Sequence, residues 1–155
     1  MQGVGNPIVV LDFGAQYSKL IARRVREAKV YSLILPFNTP IEELKALDPA
    51  GIIFSGGPAS VHASGAPKPD PAIFDLGVPV LGICYGVQTM CEQLGGEIEG
   101  SKGREFGRAE INIVDDCLIF SGVWEKGSND HVWMSHGDKI KRIPEGFRTV
   151  GVSEN

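Results

Sequence analysis

Val78-Pro79-Val80-Leu81-Gly82-Ile83-Cys84-Tyr85-Gly86-Val87-Gln88 decides the fold. Its first half, Val78 to Ile83, is a short apolar run of the kind that forms a buried strand. From Cys84 the pattern turns helical through about Leu94, and Gly95-Gly96 closes it. Gly82-Ile83-Cys84-Tyr85-Gly86 is therefore a strand-turn-helix junction with a cysteine at its apex, the cysteine form of a nucleophile elbow. A sharp turn lifts the side chain above the sheet, and the flanking glycines let strand and helix pack closely. The helix N-terminus is expected to favour thiolate over thiol. The Tyr85 backbone N–H is expected to face a developing oxyanion. The competing reading is a buried structural cysteine between packing glycines; the spacing favours the nucleophile.

Working upstream, Gly51-Ile52-Ile53-Phe54 predicts a strand, as do Tyr31 to Leu35, stopped by Pro36, and Ile8-Val9-Val10-Leu11. Between them lie helical patterns. One carries Tyr17, Leu20, Ile21, Val25 and Ala28 on a single stripe. A second, short one opens at Thr39-Pro40, with proline in its first turn. Ala59 to Pro71 is rich in Ala, Pro, Ser and Gly and reads as loop, followed by a short helix from Ala72 to Leu76. Downstream, Ala109 to Val114 alternates apolar and polar residues as a half-exposed strand does. Val132 to Met134 and Phe147 to Val152 are further strand candidates. Strand-helix alternation followed by alternating strands implies an α/β fold: an open, mostly parallel, doubly wound sheet with antiparallel edge strands.

Ser55-Gly56-Gly57-Pro58 follows another strand. Ligands of such sheets bind outside the C-terminal strand ends, so this loop is expected to share a crevice with Cys84. Its paired glycines would let N–H groups approach negative charge; a plain tight turn is an equal reading. A phosphate loop is disfavoured, because Pro58 removes a donor and no Walker lysine follows. Asp12-Phe13-Gly14 matches a kinase tripeptide by chance, with the other kinase elements missing. A cysteine nucleophile normally needs a base. His62 lies in the polar loop and His131 beside Asp130, and both read as surface residues. His136, in Trp133-Met134-Ser135-His136-Gly137-Asp138, is the best placed. A structural or substrate-contacting role suits it better than general base.

The 155 residues suit one domain able to bury about 70% of its unfolded surface. A net charge of −4 gives no broad electrostatic case for nucleic acid. The Arg23, Arg24, Arg26 cluster runs into Glu27 and reads as a solvated helix face. Cys84, Cys91 and Cys117 form neither metal-ligand spacing nor an even disulfide set. No signal peptide or apolar run of about 20 residues is present. A cytoplasmic protein is expected.

Four stretches, in order, resemble one family: Val10 to Tyr17, Ile53 to Pro58, Gly82 to Gln88, and Val132 to Asp138. This is the class I (triad) glutamine amidotransferase family. The elbow is common to the whole family. The first and last stretches are similar to the amidotransferase domains of GMP synthases, and the resemblance runs from about Ile8 to Asn155. It implies a flavodoxin-like sheet and hydrolysis of L-glutamine to glutamate and ammonia through a Cys84 glutamyl thioester. The N–H groups of Gly57 and Tyr85 would form the oxyanion hole, and Gln88, Ser135 and His136 would bind glutamine. The domain itself would need no cofactor and no metal. A partner ATP pyrophosphatase (synthetase) domain or subunit, using ATP and magnesium, would aminate XMP. Fusion to that partner and a homodimeric parent are both left open.

The family completes its triad with a His-Pro-Glu motif further along, and these residues contain none. The resemblance therefore implies one amidotransferase domain, residues 1–155, lacking its C-terminal segment. It also implies near-inactivity in isolation and an exposed sheet edge or apolar face. Three alternatives remain: the amidotransferase of another synthase, an inert module of the same fold, and a flavodoxin-like cysteine hydrolase or redox sensor.

Overall fold

The computed structural model describes residues 5–154; the side chains of residues 101–105 and of His136, inside strands, lie outside the described set. The chain divides into two compact units, the first running through Gln93 and the second starting at Leu94.

The first unit is built on four parallel strands: β1 (Ile8–Asp12), β2 (Ser32–Pro36), β3 (Gly51–Phe54) and β4 (Val80–Gly82). Their order is β2-β1-β3-β4. β1 sits between two neighbours, in register Ile8↔Ser32 and Ile8↔Gly51. That position suits its sequence, since Val9, Val10 and Leu11 are fully buried. Each such side chain contributes about 1.5–3 kcal/mol. From β1 the chain steps outward through helix α1 (Ser18–Glu27) to β2. It then returns past β1 through α2 (Ile41–Leu47) to β3. Right-handed crossovers in opposite directions put α1 and α2 on opposite faces. The sheet is thus doubly wound, with its topological switch between β1 and β3. Helix α3 (Tyr85–Gln93) follows β4, and a 3₁₀ turn spans Pro71–Asp75.

The face α1 turns to the sheet differs from the expected stripe. Tyr17 and Leu20 are 64% and 44% exposed, whereas Ser18 and Ala22 are buried. Polar anchoring by small residues explains the rotation. Ser18 Oγ donates to Asp12 Oδ1 at 2.8 Å, and Ser32 Oγ on β2 donates to the Ala22 carbonyl at 2.9 Å. Small side chains at these points let the helix lie close on the sheet. Pro40, expected inside the first turn of α2, occupies the N-cap instead.

The second unit is an antiparallel sheet of β5 (Glu97–Ile113), β6 (Asn129–Arg142) and β7 (Gly151–Ser153), in the order β6-β5-β7. The expected antiparallel strands are present. They bond to one another in a sheet of their own. β5 and β6 run well beyond the predicted Ala109 to Val114 and Val132 to Met134. Their pairing extends from Asn112↔Asn129 to Glu97↔Arg142, with register shifts between Glu97 and Ile98 and between Gly100 and Glu105. Of Phe147 to Val152 only the last two residues join a strand, extended by Ser153.

Candidate active site

The chain between β4 and α3 turns within one residue, and Cys84 is the residue that turns. Its φ is +50°, one of three positive values among described non-glycine residues. An L-residue in this region costs about 1–2 kcal/mol, so the surroundings must enforce it. They do so through backbone contact. Ile83 N–H donates to the Phe54 carbonyl at 3.0 Å, holding the end of β4 against β3. Gly86 N–H donates to the Ile83 carbonyl, and the N–H groups of Val87 and Gln88 donate to the Cys84 carbonyl, starting α3 at once.

The flanking glycines act by absence of bulk, as the sequence indicated. A Cβ on Gly82 would lie 2.5 Å from Val87 Cα and 2.6 Å from Val87 N. On Gly86 it would meet the Phe54 carbonyl oxygen and come within 2.7 Å of Phe54 Cβ. Strand and helix are therefore closer than any side chain permits.

The loop Ser55-Gly56-Gly57-Pro58 leaves β3 beside this turn. A Cβ on Gly56 would sit 3.4 Å from Cys84 Cβ, so the loop passes close beside the turn. Gly57 is held against β1's exit, where a Cβ would fall 2.6 Å from the Phe13 carbonyl oxygen. Ser55 locks the arrangement. Its fully buried hydroxyl accepts from Phe13 N–H at 3.0 Å and donates to the Gly56 carbonyl at 3.0 Å. Sequence reading missed this residue; a buried serine between two glycine-rich turns was the available signal. The N–H groups of Gly57 and Tyr85 have no acceptor among the described residues. Two free donors thus belong to the two backbone segments that meet at Cys84.

Cys84 is exposed, yet surrounding atoms desolvate its sulfur enough to push the thiol pKa up. Desolvation acts against the thiolate that the helix N-terminus was expected to favour. Cys91 is buried and Cys117 half-buried, and neither forms a disulfide among the described residues.

Tyr85 lies beneath the turn, its ring centroid 5.6 Å from that of Phe13, which is itself 5.4 Å from Phe54. Its hydroxyl donates to the Pro67 carbonyl at 2.6 Å. Farther along α3, Gln93 Nε2 donates to the Pro69 carbonyl at 2.8 Å, and Glu92 pairs with Lys68 at 2.8 Å. The end of the loop, at Pro67, Lys68 and Pro69, is thus stitched to both ends of α3. Gln88 is buried one turn into α3. Ser135 and His136 belong to the second unit, on β6, in register with Phe106 and Glu105. Ser135 is exposed, and the His136 side chain lies outside the described residues. His62 and His131 are exposed, as expected. A cleft of about 470 Å³ opens at the ends of β1 and β2 beside Asp12, Phe13 and Phe37. Cys84 does not line it. Among the described residues no His, Cys, Asp and Glu cluster could hold a metal ion, and no helix is long and apolar enough to cross a membrane.

A doubly wound parallel sheet with a positive-φ cysteine at a strand-to-helix turn defines an α/β protein of the nucleophile-elbow class. The chain belongs to the class-I glutamine amidotransferase family, whose model matches residues 9–155. It is 54% identical over 148 residues to a glutamine-hydrolysing GMP synthase of Agrobacterium fabrum, a match covering 96% of this chain and 28% of that protein. It is 55% identical over 149 residues to the GMP synthase of Aquifex aeolicus, covering 96% and 29% respectively. The chain therefore spans under a third of these relatives. Among solved structures, a protein from Thermoplasma acidophilum described as a GMP synthase subunit superposes with a TM-score of 0.76 at 27% identity. That match covers 96% of this chain and 73% of the other.

Proposed function

We propose that this chain is the glutaminase part of a GMP synthase, releasing ammonia from L-glutamine for amination of XMP by a synthetase domain or subunit. The observation that carries the reading is the strained Cys84 turn with two unpaired N–H groups, of Gly57 and Tyr85, on the adjoining backbone segments. In the proposed chemistry Cys84 Sγ, losing its proton to a base, attacks the side-chain amide carbon of glutamine. The carbonyl π electrons move to oxygen, and the two N–H groups stabilise that oxyanion. Collapse breaks the C–N bond as the amide nitrogen takes back the proton held by the base, so that ammonia leaves and a glutamyl thioester remains. Water then cleaves the thioester to glutamate and the free thiol. Gln88, Ser135 and His136 would hold the substrate. ATP and magnesium would serve the synthetase, with no cofactor in this part. The protein would work in the cytoplasm.

A cysteine nucleophile normally needs a base, desolvation of the Cys84 thiol adds to that need, and these 155 residues contain no His-Pro-Glu to supply one. A polypeptide of these residues alone should hydrolyse glutamine very slowly, by analogy about 10⁴-fold below a complete triad. The test is alkylation of Cys84 by a diazoketone analogue of glutamine, alongside ammonia release. Glutamine-protected labelling with little turnover supports the reading. Labelling indifferent to glutamine would overturn it, and brisk Cys84-dependent turnover would overturn the inactivity.

A further inference from the structure

The cleft at the ends of β1 and β2 belongs wholly to the first unit, and its volume of about 470 Å³ lies within the range of small-molecule sites, about 300–1,000 Å³. Phe13, Gly14, Pro36, Phe37 and Pro67 wall it, and Asp12 is the one charged residue in its lining. Asp12 is half-buried at the end of β1. Its Oδ1 accepts from Gly14 N–H at 2.9 Å and from Ser18 Oγ at 2.8 Å. Its Oδ2 has no hydrogen-bond or ion-pair partner among the described residues. Lys68, next to Pro67, is paired with Glu92 at 2.8 Å instead.

The residues that close this cleft offer an acceptor and no spare donor. Phe13 N–H donates to Ser55 Oγ at 3.0 Å, Gly14 N–H to Asp12 Oδ1, and Phe37 N–H to the Asp12 carbonyl at 3.2 Å. Pro36 and Pro67 have no N–H to give. A phosphate or carboxylate would meet a negative charge and apolar walls without compensation. A bare divalent cation fits no better, because it takes about six or more oxygens and one carboxylate oxygen is open here. An organic cation satisfies every group present. Its ammonium or guanidinium takes Asp12 Oδ2 in a charge-assisted hydrogen bond, and its apolar body covers the rings, which themselves attract a cation. The walls are already set. Phe13 stacks on Phe37 with centroids 5.7 Å apart, and the Tyr85 hydroxyl holds the Pro67 carbonyl. A ligand therefore pays little to order them.

We propose that this cleft binds a small organic cation, its ammonium or guanidinium paired with Asp12 and its apolar body laid against Phe13 and Phe37. The site stands apart from the functional reading above, since neither Cys84 nor Gln88, Ser135 or His136 lines it. It adjoins that chemistry at Phe13, whose N–H donates to Ser55 and whose carbonyl lies against Gly57. An occupant thus touches the segment on which the loop from Ser55 to Pro58 is packed.

The experiment titrates the full isotope-labelled chain with phenethylammonium and, separately, with hydrocinnamate, which keeps the ring and reverses the charge, and follows the amide resonances by heteronuclear NMR. Phenethylammonium should shift Asp12, Phe13, Gly14 and Phe37 saturably, with a Kd of about 1–10 mM for so small a probe. Hydrocinnamate should leave them in place. Asp12→Asn keeps an oxygen for Gly14 and Ser18 while removing the charge, and should weaken phenethylammonium binding about tenfold. Phe37→Leu keeps an apolar wall without the ring and should weaken it about threefold; it decides the matter if circular dichroism shows that D12N does not fold. Equal shifts from both compounds would make the cleft a merely apolar surface and overturn the proposal. So would saturation without shifts at the cleft, no saturable shift with phenethylammonium, or wild-type affinity in folded D12N or, failing that variant, in F37L.

Discussion

Replacing Cys84 by glycine should give a more stable protein than replacing it by alanine, the reverse of the usual order. Glycine loosens the unfolded chain and ordinarily costs about 0.4–1 kcal/mol relative to alanine. At φ +50° an alanine keeps the Cβ clash of the left-handed region, about 1–2 kcal/mol, and glycine removes it. The difference favours glycine by about 0.5–1 kcal/mol. Because the cysteine side chain is exposed, little packing is lost in either variant. For a chain of this size that is a shift of about 1–3 °C in midpoint. Both tryptophans, Trp124 and Trp133, lie in the second unit, so their fluorescence would report the wrong body. Far-UV circular dichroism during thermal or urea unfolding is the suitable assay, since α1, α2 and α3 all belong to the first unit. Should C84A prove as stable as C84G or more so, Cys84 is not held in a strained conformation, and the account of the elbow is wrong.

Gly82→Ala should cost about 2–3 kcal/mol, because the backbone of Val87 stands where the new Cβ would go and cannot move without separating β4 from α3; urea titration measures it. Ser55→Ala strands the Phe13 N–H in the interior and should cost about 1–3 kcal/mol, with a further loss of Cys84 labelling by the glutamine analogue if the loop shifts. Burial disfavours the charged thiolate, so alkylation of Cys84 by iodoacetamide, measured in a C117S background, should rise with pH through a midpoint above that of a free cysteine. A midpoint below the free-cysteine value would show that the helix N-terminus, and not desolvation, governs the sulfur.

The first unit was legible because its signals are local. Val9 to Leu11 and Ile52 to Phe54 are apolar runs ended by turns, and the paired glycines around Cys84 announce a junction too tight for side chains. What failed there depended on partners distant in sequence. The buried face of α1 is set by Asp12 and by Ser32 on β2, so the hydrophobic stripe counted along the helix is rotated: Ile21 and Val25 are half-buried, but Tyr17, Leu20 and Ala28 are exposed. Ser55 carries its weight through Phe13, 42 residues earlier. In the second unit, the N-terminal half of β5 is charged and glycine-rich and has weak strand propensity of its own. Pairing with β6 makes it a strand, and no window on residues 97–108 contains that information. The helix terminus beside Cys84 is visible in the sequence, whereas the burial that raises the thiol pKa exists only in the folded chain.

The loop from Ala59 to Pro71 has the composition of a flexible connector, yet Tyr85, Glu92 and Gln93 fasten it to α3 at Pro67, Lys68 and Pro69. Those three ties span the helix from its first residue to its last. Loop and helix therefore form a single cooperative opening unit: exchange of the α3 amides with solvent requires release of the loop, and nicking the loop loosens the helix. Since the N-terminus of that helix fixes the conformation of Cys84, the persistence of the nucleophile's geometry is set by the breathing of a proline-rich strap more than ten residues upstream.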